Sequence, residues 1–113
     1  MASTLQITSE RFPDGVVVAL TGEIDLARSP ELRLRLREEV DAGPKRLVVD
    51  LARVTYMDSS GVATLVEALQ RSKARGCRLV LCALQPKVRS IFSISRLDTV
   101  FEIAPTPDNA KAP

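Results

Sequence analysis

Asp58-Ser59-Ser60-Gly61 sets a carboxylate and two hydroxyls side by side, the residue types of nucleophilic chemistry. A serine nucleophile needs a general base within hydrogen-bond reach. This chain has no histidine, no Gly-x-Ser-x-Gly elbow and no Ser-x-x-Lys at the site, so a serine-dependent enzyme is not expected. Gly22 and Gly61 are isolated, outside any phosphate-cradling motif. Asp25 and Asp58 lack the further oxygen ligands that a metal site requires. Cys77 and Cys82 have no histidine to complete a zinc site. No catalytic residue, cofactor or metal is therefore expected. What remains is a serine that is acted upon, or one that only caps a helix. The plain structural use of the same residues is capping, because their side-chain oxygens accept from the unpaired N–H groups of a helix start.

The flanking elements support that placement. Upstream, Arg46-Leu47-Val48-Val49-Asp50-Leu51 is the short apolar run of a strand buried on both faces. Downstream, Val62, Leu65, Val66 and Leu69 form one apolar stripe on a helix that runs to about Arg75. Two serines and a glycine thus stand at the positive end of a helix dipole, beyond the carboxyl end of a strand. In α/β sheets that is where ligands bind.

The other elements follow in chain order. Leu5 to Glu10 alternates weakly, as an edge strand does, and Pro13-Asp14-Gly15 turns it toward a second strand over Val16 to Leu20. Thr21 to Leu26 is expected to be a loop. Ser29-Pro30-Glu31 reads as a helix start with Ser29 as N-cap, and Ala42-Gly43-Pro44 as its stop. The Leu-Arg alternation from Leu32 to Arg37 is formally a strand pattern, yet these are good helix formers with no β-branched residue among them. On that helix Leu32, Leu36 and Val40 face inward, and Leu34, about 200° from Leu32, faces solvent. Gly76 ends the central helix, and Arg78 to Ala83 is a buried fourth strand. Pro86 starts a third helix with Val88, Ile91 and Phe92 inward, and Thr99 to Ile103 is a short last strand. Residues 105–113, with Pro105, Pro107 and Pro113 and little to bury, are expected to be a flexible tail.

These elements predict one α/β domain of residues 1–104: a mixed, largely parallel sheet of four to five strands packed with three to four helices. At 113 residues the chain suffices for one core. With 45% hydrophobic but only 4% aromatic residues, that core is aliphatic. A formal net charge of +2, with both signs interspersed, gives no reason for a nucleic-acid partner. Without a membrane-length apolar run or a signal-peptide pattern, a cytoplasmic protein is expected. Cys77 and Cys82, expected on one strand and an odd number of positions apart, point to opposite faces and stay reduced and buried.

Tyr56-Met57-Asp58-Ser59-Ser60-Gly61, with Gly22-Glu23-Ile24-Asp25 upstream, resembles the STAS-domain anti-sigma factor antagonists over about Leu5 to Ile103. The resemblance implies a non-enzymatic protein that binds an anti-sigma factor serine kinase when unphosphorylated and so releases a sigma factor. Ser59, directly after the motif aspartate, is the implied phosphorylation site, with Ser60, of similar expected exposure, as second choice. A phosphoserine phosphatase would reverse the modification. Asp25, Met57, Asp58, Ser59, Ser60, Gly61 and Val62 make up the implied partner-binding surface. A monomer or weak dimer with no membrane contact is expected. The alternative is a STAS adaptor in a signalling or transport assembly, never phosphorylated. Two departures stand out: Gly61-Val62-Ala63 where relatives have Gly-Leu-Gly, and Ser95-Arg96-Leu97 where relatives often have Ser-Gly-Leu, so a left-handed position must be met without glycine.

Overall fold

The computed structural model describes residues 5–113. Five strands lie in chain order across one sheet: β1 (Leu5–Phe12), β2 (Gly15–Ile24), β3 (Arg46–Met57), β4 (Arg78–Cys82) and β5 (Glu102–Ala104). β1 pairs antiparallel with β2, and the remaining neighbours are parallel. The helices are α1 (Ser29–Asp41), α2 (Ser59–Ala74), α3 (Pro86–Ile94) and α4 (Pro107–Lys111), with a 3-10 turn at Leu97–Thr99. This is the mixed, mostly parallel α/β layer that the alternation of strands and helices predicts.

The strand alternation sorts side chains onto two faces. One carries the main core, in which Val16, Val18 and Leu20 of β2 meet Leu47, Val49 and Leu51 of β3 and the inward stripe Leu32, Leu36 and Val40 of α1. Leu34 points out as its helical position requires, at 57% exposure. Cys77 belongs to this cluster and Cys82 to the opposite one, and both thiols are free and buried. Burial pushes the Cys82 thiol up to about 12, with the Asp50 carboxylate adding to the shift.

Several boundaries differ from the sequence-based expectation. β2 continues through Gly22 to Ile24, where a loop is expected, because Ile24 is fully buried and pairs with Met57. β3 extends six residues beyond Leu51, to Met57, with register irregularities against β2. There Val54 and Met57 are buried while Arg53, Thr55 and Tyr56 are exposed, a spacing that hides the strand from a period-two reading. Cys77 falls just before β4.

Residues 107–111, expected to be part of a flexible tail, form α4 instead. Thr106 caps it by accepting from Asn109 N–H at 3.1 Å. Ala110 packs on Val48, Val80 and Cys82. Arg46, only 8% exposed, donates through Nη1 to the carbonyls of Ala110 at 3.1 Å and Ala112 at 2.6 Å. A charged side chain thus supplies the partners that a short helix cannot supply for its own last carbonyls.

Candidate functional site

The site forms where β2 and β3 end together. Ile24 and Met57 are in register, and the Asp58 N–H donates to the Ile24 carbonyl at 3.2 Å, so the two chains leave the sheet at one level. β2 then runs into the Asp25 loop and α1, while β3 runs into α2.

Asp58 is the N-cap of α2, in extended backbone geometry. Its Oδ1 accepts from Ser60 N–H at 2.9 Å, from Gly61 N–H at 3.3 Å and from the Ser60 hydroxyl. The Ser60 hydroxyl, chiefly, holds the Asp58 carboxyl below the usual carboxylate range. Partial burial opposes this, and the N–H groups of Gly61, Ser60 and Leu26 add to the lowering. Asp58 is therefore an anion at neutral pH with its near oxygen fully engaged.

Ser59 and Ser60 differ sharply. Ser59 is the first helical residue, exposed, and its hydroxyl makes no hydrogen bond among the described residues. Ser60 is half-buried, its Oγ bonded to Asp58 and 2.9 Å from Ser29 Oγ. The similar exposure expected of the two is thus corrected: the helix turns Ser60 toward α1 and leaves Ser59 at the tip.

Gly61 explains itself by contact. A Cβ there would stand 2.7 Å from both Ile24 Cγ2 and Met57 Cγ and 3.2 Å from the Ile24 carbonyl oxygen. Only a glycine lets the first turn of α2 lie against the ends of β2 and β3. Ala63, by contrast, is exposed, so the missing second glycine costs nothing in packing. Arg96 takes the left-handed position at φ 59°, ψ 20°.

Asp25 is half-buried and serves α1. Its Oδ1 accepts from Arg28 N–H at 2.9 Å, and its carbonyl accepts from the N–H groups of Arg28 at 3.1 Å and Ser29 at 2.9 Å. Ser29 is consequently not the N-cap expected of it. It is the first residue of α1, 97% removed from solvent, with its Oγ 2.7 Å from the Asp25 carbonyl oxygen. Its tie to Ser60 was missed, since nothing local relates residues so far apart in the chain.

In front of Ser59 lies an open groove of about 290 Å³ lined by Met57, Asp58, Ser59, Val62, Ile91 and Ser95. Of the residues expected at the site, it brings Met57, Asp58, Ser59 and Val62 together, while Ser60 and Gly61 face inward. The contribution of α3 was not anticipated: Ile91, expected inward with Val88 and Phe92, is only half-buried against the core and also lines the groove, beside Ser95. Among the described residues no cluster of three metal-ligating side chains occurs, and no helix is long and apolar enough to cross a membrane.

A five-stranded mixed sheet whose third strand delivers a capped, serine-bearing helix start beside the end of the second defines a single α/β domain of the STAS-like class. The chain belongs to the STAS domain anti-sigma factor antagonist family: the STAS domain model matches residues 6–110. It is 33% identical over 109 residues to BtrV of Bordetella bronchiseptica, covering 96% of this chain and 93% of that protein. To the anti-sigma-B factor antagonist of Listeria monocytogenes it is 32% identical over 94 residues, 83% of this chain and 82% of the relative. Among solved structures it resembles the anti-sigma factor antagonist SpoIIAA of Bacillus in two states. The unphosphorylated form aligns with a TM-score of 0.78 at 26% identity over 93% of this chain and 92% of that one. The phosphorylated form aligns with a TM-score of 0.72 at 25% identity over 93% and 96%. The family is non-enzymatic and implies interaction with sigma-factor regulatory proteins.

Proposed function

We propose that this protein is an anti-sigma factor antagonist that binds an anti-sigma factor serine kinase when unphosphorylated, frees the sigma factor, and is switched off by phosphorylation of Ser59. The observation that carries this reading is the contrast between neighbours: the Ser59 hydroxyl is exposed and unbonded at the tip of α2, whereas Ser60 is tied to Asp58 and Ser29. A solved relative that exists in both unphosphorylated and phosphorylated forms supports it.

Magnitudes say what a phosphate there does. It adds about −1.5 to −2 charge. At a helix N-terminus this gains about 0.3–1 kcal/mol, so the domain stays folded. Across a docked surface the same charge loses its water, beside a carboxylate that is already ionised. That costs several kcal/mol, on the order of a hundredfold in affinity or more. The interface gives way and the fold does not. Asp25, Met57, Asp58, Gly61 and Val62 serve the surface in different ways: Met57, Asp58 and Val62 line it, whereas Gly61 and Asp25 hold the two loops in place. A phosphoserine phosphatase acting on Ser59 restores binding. These steps take place in the cytoplasm, where ATP and sigma factor are found.

The test is incubation with the anti-sigma serine kinase and ATP, followed by intact mass and site mapping. One phosphate on Ser59, none on Ser59→Ala, and binding lost about a hundredfold in Ser59→Asp are expected. No mass gain, with both variants binding the kinase like wild type, would instead indicate an unmodified adaptor.

A further inference from the structure

The hydroxyls of Ser29 and Ser60 share three contacts between them, and each has one hydrogen to give. Ser29 Oγ lies 2.7 Å from the Asp25 carbonyl oxygen and 2.9 Å from Ser60 Oγ, and Ser60 Oγ in turn contacts Asp58 Oδ1. Carbonyl and carboxylate only accept. The Asp25 carbonyl already receives the N–H groups of Arg28 and Ser29, so the Ser29 hydroxyl is not needed there. The Asp58 carboxylate is the stronger acceptor and takes the Ser60 hydrogen. The Ser29 hydrogen is then free to turn toward the Ser60 oxygen. Both hydroxyls align in one direction, Ser29 to Ser60 to Asp58, and each bond polarises the next.

We infer that Ser29 is a positioning residue of the phosphorylation switch: by occupying the Ser60 oxygen it keeps the Ser60 hydroxyl on Asp58 and confines modification to Ser59. The inference rests on the reading of Ser59 as acceptor. An acceptor oxygen must present a lone pair to the γ-phosphorus of ATP and surrender its proton to a base of the kinase or to water as the new P–O bond forms and the bond to the ADP oxygen breaks. The Ser60 oxygen has its hydrogen committed to one neighbour and a lone pair committed to another. Ser59 has neither. Adjacent, chemically identical serines are thereby distinguished by a residue of another helix that is itself almost wholly buried. The buried position also means that a partner kinase reads this choice without touching the residue that makes it.

The experiment compares wild type with Ser29→Ala and Ser29→Thr. The alanine variant keeps both backbone donors to the Asp25 carbonyl, so α1 still starts in place. With the anti-sigma serine kinase and ATP, the share of label on Ser60 rises about fivefold in Ser29→Ala, the population that one hydrogen bond of about 1 kcal/mol controls. Ser29→Thr, which keeps the hydroxyl, restores labelling of Ser59 alone. Unchanged labelling in Ser29→Ala overturns the assignment. If the kinase labels none of the three, the functional reading fails, and a carboxyl NMR titration of Asp58 decides the positioning role on its own. A midpoint that moves up in Ser29→Ala and returns in Ser29→Thr supports it. Identical midpoints in all three overturn it.

Discussion

β3 ends in a helix contact at both of its termini, and the two contacts use charge in opposite ways. At its start Arg46, buried, donates to the last carbonyls of α4. At its end Asp58, half exposed, accepts from the first N–H groups of α2. Each meets the unpaired backbone groups that its sign suits. Around Arg46, Ala110 closes over Val48, Val80 and Cys82, and the arginine itself is spent on the carbonyls of α4. Around Asp58 one hydroxyl, that of Ser59, is left over and faces a groove. The lesson is that a cap becomes a site only where it leaves something unsatisfied.

The largest expected effect lies at the closed end. Arg46→Ala strands two carbonyls beneath α4 and should cost about 3 kcal/mol, read as a lower urea midpoint, with kinase binding at the far end intact. An unchanged midpoint would mean that α4 docks without its arginine and that the two ends are not alike. Next comes Gly61→Ala, whose methyl meets Ile24 and Met57 at 2.7 Å. The clash should cost about 2 kcal/mol and also weaken partner binding, because α2 must shift and carry Ser59 with it. A stability loss with binding unchanged would separate the glycine from the switch.

Asp58→Ala removes a cap and should cost about 1 kcal/mol at neutral pH. The carboxyl is held low in the folded protein, so its stabilisation is present above the ordinary value of 3.8 and fades as pH falls through the lower, folded value. Wild type and variant should therefore differ in thermal midpoint at pH 7 and converge in strong acid. A gap that persists in acid would assign the loss to packing. The smallest effect belongs to Arg96, which sits at φ 59°. Arg96→Gly relieves about 1 kcal/mol of left-handed strain and gives back part of it as unfolded-state entropy, a net gain of about 0.5 kcal/mol in thermal stability.

The open end was legible in the sequence because its signals are local. Cap, serine and glycine are consecutive, and the apolar stripe of α2 follows at once. The closed end was not: α4 has one buried alanine and prolines on either side, and what fixes it is Arg46, far off in the chain and indistinguishable by type from the surface arginines. The same limit hid the Ser29 contact with Ser60. The sequence reads β3 short because past Leu51 its buried positions fall three apart, which hides the last six residues of the strand, up to Met57.

Strand order equal to chain order has a consequence for synthesis. Each strand leaving the ribosome can join the edge laid down by the previous one, with no gap kept open for a later arrival. The underside of the sheet is the exception: Val48, Val80 and Cys82 wait for α4, which is made after all five strands. In a nascent chain the helix tip that carries Ser59 can therefore form while the sheet's other face is still bare to chaperones.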